Sequence, residues 1–416
     1  MRLVNLGGVF TGEGFLRCEG RRPQIEDCGF LPTKAEIAWD SSGVLTYVGN
    51  DRGDYAEECI DGAGRLATSA WCDAHTHALF GGSRASEHFQ RWQGRTYLEI
   101  AASGGGIHST VRCTEDASDA LLRDRLIRRL QQALREGIGT LEVKSGYAAS
   151  AAQEIRLLRL IREAANAVPT LTVRPTFLAL HALPKGRTEA EYTAEMIEAL
   201  DTICREGLAW AVDSFPEKGF FSLDACLQLS REAQRRGLAV KAHADELTDM
   251  DATAAFVDLG AVSADHLLQI SERGIAALSH SDTVAVLLPA TSFFLGLPYA
   301  GARRLIEEGA RVALASDFNP GSAPAFGLRL TVTLACAQLK MTAPEILCAV
   351  TCNAASAAGL SPREHVLKTG AKGKIALWDL PEADRTNPQT LLEQLLLEGE
   401  ASPLRVESTQ AKRWPG

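Results

Sequence analysis

The sequence predicts an α/β fold, a (β/α)8 TIM-like barrel carrying a small composite β-sandwich domain built from both chain ends. Three observations predict it. Short β-branched or apolar runs alternate with segments of helical period through the middle of the chain, the sign of a parallel α/β fold. Eight such runs occur, which is the barrel number. The two ends share a different rhythm of short strands broken by glycine. A length of 416 residues is about three times the most common domain size and accommodates one large barrel with an appendage.

Residues 1–65 hold short apolar runs at 37–39 and 44–48, separated by Gly43, Gly49 and Gly53, and read as a small antiparallel β unit. The eight barrel runs are 71–75, 140–144, 172–180, 208–215, 239–243, 261–266, 283–288 and 312–317. Between them, 119–136, 151–166, 189–206, 223–236 and 302–308 carry apolar residues at spacings of three and four and read as helices. The first connection, 81–118, with its triple glycine Gly104-Gly105-Gly106, reads as a long loop, and a loop of that size in a compact domain is a functional lid or binding element. At the far end, Lys374-Ile375-Ala376-Leu377-Trp378-Asp379 reads as a strand between turn-forming glycines and Pro381. The expected division is therefore a composite β domain from 1–65 and 367–416 around a barrel at 66–366.

Composition narrows the function. Lysine plus arginine number 43 against 52 aspartates plus glutamates, a net charge of -9, so no global electrostatic attraction to nucleic acid exists and a small-molecule partner is expected. With 46% hydrophobic and 23% charged residues the chain is globular in character. The longest apolar stretch, 283–297, is interrupted by Pro289 and too short for a bilayer span, so no membrane partner is expected. Residues 1–10 lack the regions of a signal peptide, which predicts a cytoplasmic location. Ten cysteines without a CxxC pair predict reduced thiols, with Cys348 and Cys352 packed as neighbours on one helix.

The chemistry lies at the carboxyl ends of the runs: Asp73, His75 and His77; Glu142 and Lys144; His181; Glu217; His243 and Glu246; Asp265 and His266; Asp317 and Asn319. A barrel gathers those ends on its catalytic face. Five of the nine histidines fall there, although for any one of them a hydrogen-bonded core histidine is the alternative. His75 and His77, two apart on an extended strand end, point the same way and can share an ion. With His243 and Asp317 they supply three neutral nitrogens and one anionic oxygen, a set suited to Zn²⁺ or Fe²⁺, which would acidify a bound water and so implies hydrolysis. Lys144 has two readings, a carbamate bridging two metals or an ammonium paired with a carboxylate such as Glu142. His88, His108, His280 and His365 are not read as ligands.

Beyond chemistry of this kind, the sequence resembles the imidazolonepropionases of the amidohydrolase superfamily over residues 60–380. The resemblance rests on Asp73-Ala74-His75-Thr76-His77, Gly81-Gly82-Ser83-Arg84, Gly104-Gly105-Gly106-Ile107, Glu142-Val143-Lys144-Ser145-Gly146-Tyr147, His181-Ala182-Leu183-Pro184, His243-Ala244-Asp245-Glu246, Ser263-Ala264-Asp265-His266-Leu267 and Ser316-Asp317-Phe318-Asn319-Pro320-Gly321-Ser322. It implies metal-dependent hydrolysis of the imidazolone ring of 4-imidazolone-5-propanoate to N-formimino-L-glutamate in histidine degradation, by attack of metal-bound hydroxide on the ring carbonyl carbon. One Zn²⁺ or Fe²⁺/Fe³⁺ per chain would sit on His75, His77, His243 and Asp317. The resemblance further implies His266 as orienter of water or stabiliser of the oxyanion, Asp317 as proton acceptor, and Glu246 as a contact to a ring nitrogen, a position where related enzymes also use glutamine. Arg84 would grip the propionate, Tyr147 and His181 would add donors, and Asn319, Gly321 and Ser322 would hold the other end of the ligand, while the residue types of Asn319-Pro320-Gly321-Ser322 also make a plain turn, a reading compatible with binding. A homodimer is the assembly the family suggests. Pro216 and Ala148 depart from the family pattern without touching a proposed ligand, and no aspartate precedes the strand at 374–379. The rivals are a deaminase of a related heterocycle, which would use the same ion, and a non-catalytic ligand-binding barrel.

Overall fold

Side chains alternate across a strand, and along the central strands of this chain the alternation separates charge from hydrocarbon. The structure, a computed structural model, describes residues 1–53, 59–96, 99–100, 103–380 and 385–405. Residues 54–58, 381–384 with Pro381, and 406–416, within the expected end domain, lie outside the described residues. Seven strands precede the barrel: β1 (Arg2–Leu6), β2 (Gly8–Phe10), β3 (Phe30–Leu31), β4 (Ala35–Trp39), β5 (Leu45–Asn50), β6 (Cys59–Asp61) and β7 (Leu66–Ser69). The barrel strands are β8 (Trp71–Asp73), β9 (Ile138–Lys144), β10 (Thr172–Leu180), β11 (Ala211–Ser214), β12 (Ala239–Ala244), β13 (Ser263–His266), β14 (Val284–Leu287) and β15 (Arg311–Leu314). Two more, β16 (Lys374–Asp379) and β17 (Glu400–Arg405), complete the set.

Strands β8 to β15 pair in sequence order, every pair parallel. On β9, Leu141 and Val143 join the apolar layer shared with the helices, while Glu142 and Lys144 alternate with them. The regular strands β8 and β15 stop short of His75 and Asp317, yet the chain beyond them closes the ring: the Asp317 amide donates to the His75 carbonyl at 3.0 Å and the His77 amide to the Phe318 carbonyl at 2.9 Å. Closure itself therefore brings the first and last site segments together.

Helices Asp119–Arg135, Ala151–Ala167, Glu189–Glu206, Leu223–Arg235 and Ala302–Glu307 occur where the apolar spacing puts them. Ser118, Ser150, Thr188 and Ser222 cap the first four, each accepting a backbone N–H of the first turn. The expected long loop 81–118 is not a bare loop: it contains helices Ala85–Trp92 and Ile107–Glu115. Its glycine run masked a helix whose N-cap, Gly106, has φ 77°, a conformation that favours glycine. Cys348 and Cys352 stand on two helices rather than one, because Thr351 between them has φ -123° and ψ -94° and breaks the turn.

The end strands form two sheets, β5-β4-β1-β6 and β17-β16-β7-β2-β3. The expected antiparallel unit is in fact mixed, since β1 pairs β6 and β2 pairs β7 in parallel, with those chain segments linked by intervening crossovers. Leu3, Ile37 and Trp39 of one sheet share a core with Val9, Ala67 and Ile375 of the other, a sandwich contact. Trp378 on β16 turns the opposite way and packs on Trp71 of β8 at 4.6 Å, its indole N–H donating to Thr68 at 2.8 Å. Trp378→Ala removes that joint between sandwich and barrel; a loss of about 3–5 kcal/mol in unfolding free energy is expected, to be measured by denaturant titration.

Candidate active site

Four donor atoms meet at the barrel mouth. His75 Nε2 lies 3.4 Å and His77 Nε2 3.3 Å from Asp317 Oδ1, and His243 Nε2 lies 3.5 Å from His77 Nε2. Ligands bound tetrahedrally at about 2.0–2.1 Å from one ion stand roughly 3.3–3.4 Å apart, and these three contacts are close to that. His75 Nε2 is buried with no hydrogen-bond partner, a costly condition for a polar atom unless something else binds it. The residues present therefore fit a divalent cation. His266 stands beside the set, within ligand range of His75 and Asp317, and both of its ring nitrogens are buried without a partner.

The far side of two imidazoles sets their tautomers. His75 Nδ1 donates to Asp265 at 2.6 Å and His243 Nδ1 to Asp213 Oδ1 at 3.3 Å, leaving each Nε2 with its lone pair toward the centre. Burial pushes the His77 and His266 imidazoles down to about 3, so both are neutral near pH 7. Asp317 and His266 have φ of 52° and 81°; such left-handed backbone in residues other than glycine concentrates at functional sites.

Above these groups opens a cavity of about 640 Å³ whose walls include Arg84, Tyr147, His181, Glu246, Asn319 and Ser322. Arg84 places Nε and Nη2 on Glu87, at 2.9 and 2.8 Å, and Glu87 in turn accepts the Gly106 amide at 3.2 Å. That tie fixes the triple-glycine segment to the arginine. Arg84 Nη1 passes so close over Gly321 that a Cβ there would come within 2.0 Å of it, which explains why glycine occupies that position. Tyr147 is held from both sides, because Glu154 accepts the amides of Gly146 at 2.8 Å and Ala148 at 2.9 Å. Glu217 likewise accepts the amides of Leu247 and Thr248, at 2.9 and 3.1 Å, and so fixes the segment after Glu246. Burial, with Asp317 nearby, pushes the Glu246 carboxyl up to about 8, and its Oε1 is 3.5 Å from His266 Nδ1.

Two candidate binding residues also have partners inside the protein. His181 Nδ1 faces the Gly146 carbonyl at 3.1 Å; a carbonyl only accepts, so Nδ1 carries the proton and Nε2 is an acceptor, not the donor anticipated. Asn319 spends its amide inside the turn, accepting from the amides of Gly321 at 2.8 Å and Ser322 at 2.7 Å and donating to the Asp317 carbonyl at 2.6 Å. The side-chain amide and the Gly321 N–H thus shape the turn that presents Asp317, and the Ser322 hydroxyl, accepting from Asn319 Nδ2 at 2.8 Å, lies 3.5 Å from Asp317 Oδ2. Lys144 is an ammonium between two carboxylates, Glu142 at 2.8 Å and Asp213 at 2.6 Å, in line with the paired reading. His88 and His365 bond to protein groups away from the centre.

Sequence reasoning missed Asp213, Lys241, Glu154 and Thr291, whose hydroxyl donates to Asp317 Oδ2 at 2.5 Å. For Lys241 a signal existed, since Lys241 and His243 lie two apart and so share a strand face.

The Amidohydrolase family pattern matches residues 67–407. The chain is 44% identical over 395 residues to the imidazolonepropionase of Symbiobacterium thermophilum, covering 92% of each, and 42% identical over 332 residues to that of Caldanaerobacter subterraneus, covering 79% and 80%. Among solved structures it is similar to zinc-complexed atrazine chlorohydrolase from Arthrobacter aurescens, with a TM-score of 0.71 at 17% identity over 99% of this chain and 94% of that one.

Proposed function

The chain belongs to the imidazolonepropionases of the amidohydrolase family, and from that membership we propose the following reading of its site. The enzyme hydrolyses 4-imidazolone-5-propanoate to N-formimino-L-glutamate, a step of histidine degradation. One observation carries the assignment of the chemistry: three imidazole nitrogens and one carboxylate oxygen gather, with contacts of 3.3–3.5 Å among them, beneath a cavity whose wall bears an arginine. His75, His77, His243 and Asp317 would hold one Zn²⁺ or Fe²⁺/Fe³⁺ per chain. Such an ion, when bound, lowers the pKa of water from 15.7 towards about 7 and polarises a carbonyl oxygen.

The chain's own groups do the rest. Arg84 binds the substrate propionate, with its fork already oriented by Glu87. Tyr147 adds a hydroxyl, and His181 Nε2 accepts from a ring N–H. Glu246, protonated in good part near pH 7, donates to a ring nitrogen. Asp317 takes a proton from the attacking water, and neutral His266 donates to the oxygen that becomes negative. Ser322 closes the wall beside Asp317.

Incubating metal-replete protein with 4-imidazolone-5-propanoate should abolish the substrate's ultraviolet absorbance without ammonia release. No decay overturns the reading, and ammonia release favours a deaminase. Arg84→Ala should cut kcat/KM for the propionate-bearing substrate about ten- to hundredfold and leave analogues lacking the carboxylate nearly unaffected; equal losses would refute the carboxylate role.

The proposal extends to the setting. Residues 1–65 with 367–416 form a supporting domain and 66–366 the catalytic one. All ten cysteines are free thiols, which supports a cytoplasmic location, and no described helix is long and apolar enough to cross a membrane. A homodimer is supported by the exposed aromatic side chains of Phe89, Trp92 and Phe293, and sedimentation would test it.

A further inference from the structure

Beneath the ligand histidines lies a cluster of charge that the reaction does not consume. Glu142, Lys144, Asp213, Lys241 and Asp265 are all 0% exposed. Lys144 Nζ sits 2.6 Å from Asp213 Oδ2 and 2.8 Å from Glu142 Oε2. On the other side Lys241 Nζ lies 3.7 Å from Glu142 Oε1 and 3.5 Å from Asp265 Oδ2. Its protons go to Ser263 Oγ at 2.8 Å and to the carbonyls of Ala357 at 3.0 Å and Ala74 at 3.3 Å. Thr176 Oγ1 donates to Glu142 Oε1 at 2.6 Å, and Ser263 Oγ to Asp265 Oδ1 at 2.6 Å.

Burying five charged side chains is expensive, and apolar residues of the same volume would fill a barrel interior at lower cost. What distinguishes the cluster is its ends. Its outer carboxylates, Asp213 and Asp265, are the two that receive the Nδ1 protons of His243 and His75. Glu142 touches both lysines, and its neighbours place it between the two histidine supports.

We propose that Glu142 is a positioning residue coupling two metal-ligating histidines, through Lys144 and Asp213 to His243 and through Lys241 and Asp265 to His75. This rests on the ligand set proposed above. The physical account is a competition. Each ammonium is shared between Glu142 and an aspartate, so neither aspartate is fully drawn away from its imidazole. Loss of the Glu142 charge lets both lysines bear more heavily on Asp213 and Asp265. Both Nδ1 hydrogen bonds then weaken together, and with them the electron donation that makes Nε2 a good ligand.

The test is metal affinity, measured by chelator competition with Zn²⁺ on the full chain. Glu142→Gln keeps the volume and the acceptor for Thr176; it should weaken Zn²⁺ binding about ten- to hundredfold with an unchanged far-ultraviolet circular dichroism spectrum. In a double-mutant cycle with Asp213→Asn, the combined loss should be smaller than the product of the single losses, an outcome that a merely structural residue would not produce. A folded Glu142→Gln protein with wild-type affinity, or losses that simply multiply, overturns the coupling. If Glu142→Gln does not fold, Glu142→Asp, which keeps the charge but draws it back from Lys144 and Lys241, should still weaken binding by about threefold or more, and unchanged affinity there overturns it. Wild-type protein that binds no Zn²⁺ would sink the ligand set itself, whereas tight wild-type binding with an indifferent Glu142 sinks the coupling alone.

Discussion

Replacing His243 with alanine should cost the protein its metal and its turnover in one step. The imidazole supplies one of the four donors of the proposed set, with contacts of 3.3–3.5 Å among them. Binding should weaken by more than the roughly 10–100-fold that follows loss of an outer hydrogen-bond partner, and turnover by on the order of a thousandfold, since acidification of water depends on the ion. The fold should survive, because the Asp213 carboxylate left behind keeps Lys144 at 2.6 Å and so is not an unpaired buried charge. Metal analysis and a turnover assay on the same sample check this. Full metal occupancy in the variant would reject His243 as a ligand.

Asp317→Asn is the second large effect and separates charge from shape. Asparagine tolerates the left-handed backbone that Asp317 adopts at φ 52°, and it can still accept the Thr291 hydroxyl now bonded to Oδ2. What is lost is the anion and a proton acceptor, so turnover should fall about 10²–10⁴-fold while circular dichroism and thermal unfolding stay close to those of the native protein. Near-normal turnover would contradict both the ligand and the proton-acceptor roles.

Much of this site was legible in the chain because its parts are local. A strand end ending in His-Thr-His, or a turn built from Asn-Pro-Gly-Ser, is recognisable from residue type and spacing, as are the five helices with apolar residues at spacings of three and four. The long first connection was misread, since glycine and polar residues hide short helices whose apolar faces are settled only by what they pack against. For His181, residue type shows which atoms can donate or accept, but the Gly146 carbonyl that claims its Nδ1 proton comes from another strand end.

By itself, the sequence determined the barrel and offered His75, His77, His243 and Asp317 as candidate donors, since strand alternation, helical period and the residues at strand ends are local properties of the chain. Only the tertiary structure decided that Asp317 stands against His75 and His77, that Arg84 lies across Gly321 on Glu87, and that Glu142 reaches two lysines beneath the site. Those contacts join segments up to hundreds of residues apart, and they exist because closing the barrel forces the polar ends of its strands into one small volume, where charge and hydrogen bonds must balance together rather than strand by strand.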